Sequence, residues 1–163
     1  MFNSTGDQIL TWGRDGWAII WDLHGTELAT MKHKAGVFRA AFNETGDKVL
    51  SLSSDNHAIL WDVDGESNQT MAHEESIYEA IFATKTDMIL TCSSDGKARL
   101  WDPTHQEQSF VAHQNAVSGA LFSNKGYILS WSRGGNAKIW NTSGKELKQF
   151  NDFGNLAACL LYT

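Results

Sequence analysis

The chain has 163 residues, 42% hydrophobic and 20% charged, the balance of a folded globular protein and not of a disordered one. A net charge of −6 argues against phosphate-backbone binding, and no apolar run approaches the ~20 residues that cross a bilayer, so neither a nucleic-acid nor a membrane partner is expected. Two cysteines, Cys92 and Cys159, provide no disulfide framework, and residues 1–7 lack the basic head and apolar stretch of a secretory signal. The expected setting is therefore reducing and cytoplasmic.

Spacing organises the chain. Trp21-Asp22, Trp61-Asp62, Trp101-Asp102 and Trp140-Asn141 recur at intervals of 40, 40 and 39 residues. His33, His73 and His113 recur at 40, as do Phe2, Phe42, Phe82 and Phe122, and Asp15, Asp55 and Asp95 each stand six residues before their Trp. Four residue classes sharing one period define a repeat protein. The repeats run approximately over 1–32, 33–72, 73–112 and 113–151 of a single domain spanning 1–163.

In chain order, Met1-Phe2 matches the end of a first strand, as Ala41-Phe42 does, and 8–13 is the strand that follows it. The second copy shows the unit in full. Residues 37–42 form a first strand, 43–47 a turn in which Gly46 can take positive φ, and 48–53 a second strand. A tight turn at 54–56 leads to a third strand at 57–61, then a turn at 62–65 and a fourth strand at 68–72. After the fourth Trp, 145–150 reads as a fourth strand and 156–162 as another first strand, its register open by one residue. Nothing shows helical spacing beyond a turn or two. The fold class is all-β. A single four-stranded sheet cannot bury both faces, and radial stacking of such sheets solves that.

The Trp-Asp pairs, the spaced His, the turns Ser53-Ser54-Asp55 and Ser93-Ser94-Asp95 and the 40-residue period resemble the WD40-repeat family over the whole chain. Leu10-Thr11-Trp12-Gly13-Arg14-Asp15-Gly16 and Leu129-Ser130-Trp131-Ser132-Arg133-Gly134-Gly135 are most similar to bacterial members. The resemblance implies a β-propeller with four blades of four antiparallel strands. It also implies hydrogen-bonded lines inside the blades: His33, Ser53, Asp55 and Trp61 in one, His73, Ser93, Asp95 and Trp101 in the next. A third line, His113, Ser132 and Trp140, lacks its Asp because Gly134 stands there. The remaining blade has Gly13, Asp15 and Trp21, with Asp152 or Phe153 in place of His.

Ser, His and Asp together invite a hydrolase reading, but a set present in every repeat braces the fold, whereas a catalytic set is needed once. The His are expected to be buried and mostly neutral. Equal spacing separates them, so no shared metal site is expected. His24, His57 and His105 fall outside the repeat and form no cluster. No catalytic residue and no cofactor are expected.

The expected function is therefore a non-catalytic scaffold that binds a protein or peptide around the central channel. The family pattern places Phe38, Tyr78 and Ser118 there, with Ala157 or Ala158 in the last blade. Arg14, Ser54, Ser94 and Arg133, each just before the turn Asp or its replacement, join them, as do Gly36, Ser76 and Ala116. Aromatic and Arg side chains are the common interface anchors and point to a ligand with an acidic or carboxylate feature. Alternatives are a sensor module of a larger protein and a structural, self-assembling propeller. Trp12 and Trp131 are expected to fill gaps between blades and Trp17 to be exposed. Glu74-Glu75 and Asp62-Val63-Asp64 read as solvated turns. A closing strand at 155–163 would complete the N-terminal blade of its own chain or of a partner, and a head-to-tail homodimer would make an eight-bladed ring.

Overall fold

The computed structural model describes residues 1–83, 88–102 and 107–151. Among the described residues fifteen strands follow one another and no helix occurs. The first sheet contains β1 (Gln8–Trp12), β2 (Trp17–Asp22) and β3 (Glu27–Lys32). The second contains β4 (Val37–Phe42), β5 (Lys48–Ser53), β6 (His57–Asp62) and β7 (Ser67–Ala72). The third contains β8 (Ile77–Phe82), β9 (Ile89–Ser93), β10 (Lys97–Trp101) and β11 (Glu107–Val111). The fourth contains β12 (Val117–Phe122), β13 (Ile128–Ser132), β14 (Ala137–Trp140) and β15 (Glu146–Phe150). Every sheet is an antiparallel meander in which strands adjacent in sequence are adjacent in space.

Local chemistry sets the strand ends. At the hairpin between the second and third strands of each unit, Gly16, Asn56, Gly96 and Gly135 all take positive φ, with Asn56 at 66°. Asn is the side chain that tolerates this conformation best after Gly. The turn before β5 is held by Asn43, whose Oδ1 accepts from the N–H groups of Gly46 and Lys48. Asn3 does the same before β1, accepting from Gly6, Asp7 and Gln8.

Strand alternation sends one face of a sheet to each neighbour. Val49 and Trp61 point back into a core with Leu10, Ala18, Ile20, Ala29 and Met31 of the first sheet. Leu50, Leu52, Ala58, Leu60 and Met71 point forward, against Ile77, Ile89 and Trp101. Leu90, Cys92, Ala98 and Leu100 then pack on Val117, Ala120, Ile128 and Trp140. Three layers of core thus join four sheets, the wedge-on-wedge packing of a WD40-type propeller.

The first sheet differs from the expected four strands, having three among the described residues. Its innermost position holds only a stub: Phe2 bridges Ile9 as Phe42 pairs with Val49, and Met1 exchanges backbone hydrogen bonds with Leu10. Among the described residues, no further strand pairs with β1 beyond Leu10. The expected closing strand at 155–163, with Asp152, Phe153, Ala157 and Ala158, lies outside the described residues.

Candidate functional site

The polar braces come first, because they position everything at the sheet ends. Val49 pairs with Trp61 and Ser51 with Ile59, so the indole of Trp61 lies diagonally across from Ser51. Trp61 Nε1 donates to Ser51 Oγ at 2.7 Å, and Ser51 Oγ lies 2.6 Å from His33 Nε2. In the third sheet Trp101 Nε1 donates to Thr91 Oγ1 at 2.9 Å, His73 Nε2 is 2.7 Å from that oxygen, and His73 Nδ1 is 3.0 Å from Asp95 Oδ2. In the fourth, Trp140 Nε1 donates to Ser130 Oγ at 2.8 Å, with His113 Nε2 2.9 Å away. In the first, Trp21 Nε1 donates to Thr11 Oγ1, and the line ends there among the described residues.

The hydroxyl in each line is therefore Thr11, Ser51, Thr91 or Ser130. This corrects the expectation that Ser53, Ser93 and Ser132 link His and Trp. Those serines share the face but lie two residues farther along the strand, beyond the indole's reach. Ser53 and Ser93 instead donate to the carbonyls of Ala35 and Glu75. The true hubs recur at 40, 40 and 39 residues. That signal was present in the sequence, hidden by the Ser/Thr mixture and by the equally periodic serines beside them.

Chemistry fixes the direction of the line in the third sheet, where His73 Nδ1 meets Asp95. An indole N–H only donates and a carboxylate only accepts, so the Thr91 hydroxyl hands its hydrogen to His73 Nε2 and His73 Nδ1–H faces Asp95. The third sheet completes this path. In the second, Asp55 accepts from the backbone N–H groups of Lys34 and His57, and its Oδ2 stands 3.8 Å from His33 Nδ1, which has no hydrogen-bond partner among the described residues. In the fourth, Gly134 offers no carboxylate and His113 Nδ1 has no hydrogen-bond partner among the described residues.

All three recurring His are buried. Desolvation lowers the pKa of His33, and burial followed by the nearby Lys138 ammonium lowers that of His113 to about 4. Burial works to raise the Asp95 carboxyl, but hydrogen bonds from the Lys97 N–H and His73, with the Arg99 charge, hold it below the ordinary carboxylate range. Among the described residues, no three His, Cys, Asp or Glu side chains come together to hold a metal.

The sheet ends carry the non-recurring side chains. Each innermost strand has a β-bulge at the same place: register shifts between Val37 and Arg39, Ile77 and Glu79, and Val117 and Gly119. The extra residues are Phe38, Tyr78 and Ser118, and a bulge re-aims its side chain. Phe38 is 47% exposed, whereas Tyr78 and Ser118 are half-buried. The turn residues are tied to the same end, since Ser54 N–H donates to Gly36 O, Ser94 N–H to Ser76 O, and Arg133 N–H to Ala116 O. The structure brings two expected site residues into contact, with the Arg133 guanidinium lying 4.9 Å over the Tyr78 ring. Arg14 is exposed, and its backbone runs so close to Gly36 that a Cβ there would stand 2.9 Å from Arg14 O.

Sequence reading missed a second row, one residue farther along the strands. Arg39 Nη1 meets Glu79 Oε1 at 3.2 Å, and the other Glu79 oxygen would stand 2.8 Å from a Cβ at Gly119. The Trp131 ring covers the same glycine, so Trp131 is buried as expected. Its counterpart Trp12 is 38% exposed, because no innermost strand covers that part of β1 among the described residues. Trp17 is exposed too, with Lys32 Nζ 4.1 Å over its ring.

The family described as WD domain, G-beta repeat matches residues 25–62 and 65–102. No curated protein matches the chain. Proteins of this kind are generally protein-interaction scaffolds and typically non-catalytic. The repeat matches and the all-β stack of Trp-braced sheets together support a WD40-repeat family assignment for this chain.

Proposed function

We propose that this chain is a non-catalytic platform that captures a protein or peptide at the sheet ends around Phe38, Tyr78, Ser118, Arg14, Ser54, Ser94 and Arg133. The observation that supports this most is the triple bulge. Three adjacent innermost strands turn a residue out at one level, and the residues turned out are those that differ from repeat to repeat. An exposed Phe and an Arg stacked on Tyr supply apolar anchorage and positive charge side by side, the chemistry that receives a peptide with an acidic or carboxylate group. The test is to select peptides from a random display library on the wild-type protein, then measure their affinity for Phe38→Ala/Tyr78→Ala. Binding at least ten-fold weaker with a melting temperature within a few degrees supports the reading; equal binding refutes it.

A second reading concerns assembly. The incomplete innermost strand of the first sheet, among the described residues, leaves an edge that another copy can fill. We propose a head-to-tail homodimer forming an eight-bladed ring. Sedimentation equilibrium at twice the 18.1 kDa chain mass is the expected result. A monomer mass at micromolar concentration rules it out.

A further inference from the structure

The fourth sheet keeps every donor of its bracing line except the group they donate to. In the third sheet the Asp95 carboxylate accepts from His73 Nδ1 at 3.0 Å and from the Lys97 N–H at 2.9 Å, with the Arg99 guanidinium 3.8 Å away. The matching positions in the fourth sheet are His113, Asn136 and Lys138, and the Asp position is Gly134. His113 is only 5% exposed, and its Nε2 is engaged by Ser130, so its Nδ1 faces the place a carboxylate would occupy. Among the described residues that Nδ1 has no hydrogen-bond partner, and neither does Ser132 Oγ, which is fully buried and would stand 3.5 Å from a Cβ at residue 134. The Asp of each other unit also caps the backbone N–H two residues on, at Trp17, His57 and Lys97. Gly134 offers the Asn136 N–H nothing of the kind. The exposed carboxamide of Asn115 lies over the glycine.

Unpaired buried polar atoms are costly, and a set of them around one point is complementary to an anion of one shape. The Lys138 ammonium, at the Arg99 position, is itself paired with Glu146 Oε2 at 2.9 Å. We propose that the place beside Gly134 now covered by the Asn115 carboxamide is a carboxylate-binding site, in which an external carboxylate displaces that carboxamide and accepts from His113 Nδ1–H, Ser132 Oγ–H and the Asn136 N–H. The carboxylate replaces the side chain that the repeat lacks at this position. Its source is either a small free monocarboxylate or an acidic side chain of a bound polypeptide. The second source rests on the proposed partner-binding end, because Arg133 and Ala116 of that end adjoin Gly134 and Asn115; the first does not.

The test follows the melting temperature at pH 7 with sodium formate replacing sodium chloride at constant ionic strength. The expected result is a saturable rise of about 3 °C near ten times the formate dissociation constant. Gly134→Asp, which supplies the carboxylate internally once Asn115 swings aside, should melt higher than wild type and lose the formate response. The His113 ring nitrogen resonances should shift in formate, with the ring's apparent pKa rising by at least one unit. If Gly134→Asp does not fold, these resonances decide alone. A second arm replaces formate with the capped peptide acetyl-Gly-Asp-Gly-amide. Binding ten-fold tighter than formate assigns the polypeptide source, and binding no tighter assigns the free anion. An unchanged His113 ring in both probes, or the same formate response in Gly134→Asp as in wild type, overturns the proposal. A formate response in a protein whose selected peptides ignore Phe38 and Tyr78 leaves this site standing and removes only the partner-binding reading.

Discussion

Thr91 is the most informative residue to perturb, because structure and sequence disagree about it. Its hydroxyl is fully buried and serves two groups, accepting from Trp101 Nε1 and donating to His73 Nε2. Thr91→Val keeps the shape and removes the oxygen. It leaves one donor and one acceptor buried without partners, each costing about 1–3 kcal/mol, so the expected loss is about 2–5 kcal/mol. For a chain of this length that corresponds to a melting temperature lower by about 5–15 °C. Ser93→Ala, at the position sequence reasoning chose, removes a bond to Glu75 O and one from the Asp95 N–H. Both groups sit in the turn region nearer solvent, so about 1 kcal/mol is expected. Thr91→Ser retains the oxygen and should stay within about 1 kcal/mol of wild type. Urea unfolding of the three variants gives the order directly. A loss in Thr91→Val no larger than in Ser93→Ala would falsify the hub assignment.

Other expectations test separate features. The His113 pKa is lowered to about 4 in the folded chain, so between pH 6.5 and 4 the unfolded chain takes up a proton that the folded one refuses. The resulting stability is complete above pH 6.5 and is lost as pH falls toward 4, amounting to about 3 kcal/mol. The wild-type curve minus that of His113→Gln should show this slope, and parallel curves would remove it. Gly119→Ala should cost about 1–3 kcal/mol, because its Cβ would enter the Trp131 ring and meet Glu79. That cost should shrink in a Trp131→Leu background, as Leu52 fills the matching place in the second repeat; a double-mutant cycle with no coupling speaks against the contact. Asn56→Gly should be neutral or slightly stabilising and Asn56→Val destabilising by about 1–3 kcal/mol, since φ is 66° there. Thermal unfolding of both variants decides it.

The amino-acid sequence alone determined the architecture. A 40-residue period in Trp, His, Asp and Phe is a one-dimensional signal, and short, evenly spaced segments such as 37–42 and 48–53, set off by turns, mark strands. It also identified the buried His, the missing Asp at Gly134, and Phe38, Tyr78, Arg14 and Arg133 as the side chains that break the repeat. Tertiary structure decided which hydroxyl joins each line, because that depends on cross-strand register: Val49 opposite Trp61 places Ser51, not Ser53, under the indole. It also decided the bulges at Phe38, Tyr78 and Ser118, the stacking of Arg133 on Tyr78 and the contact of Trp131 with Gly119. Each is a meeting of residues distant along the chain, and periodicity records that positions are equivalent without recording which equivalent positions touch.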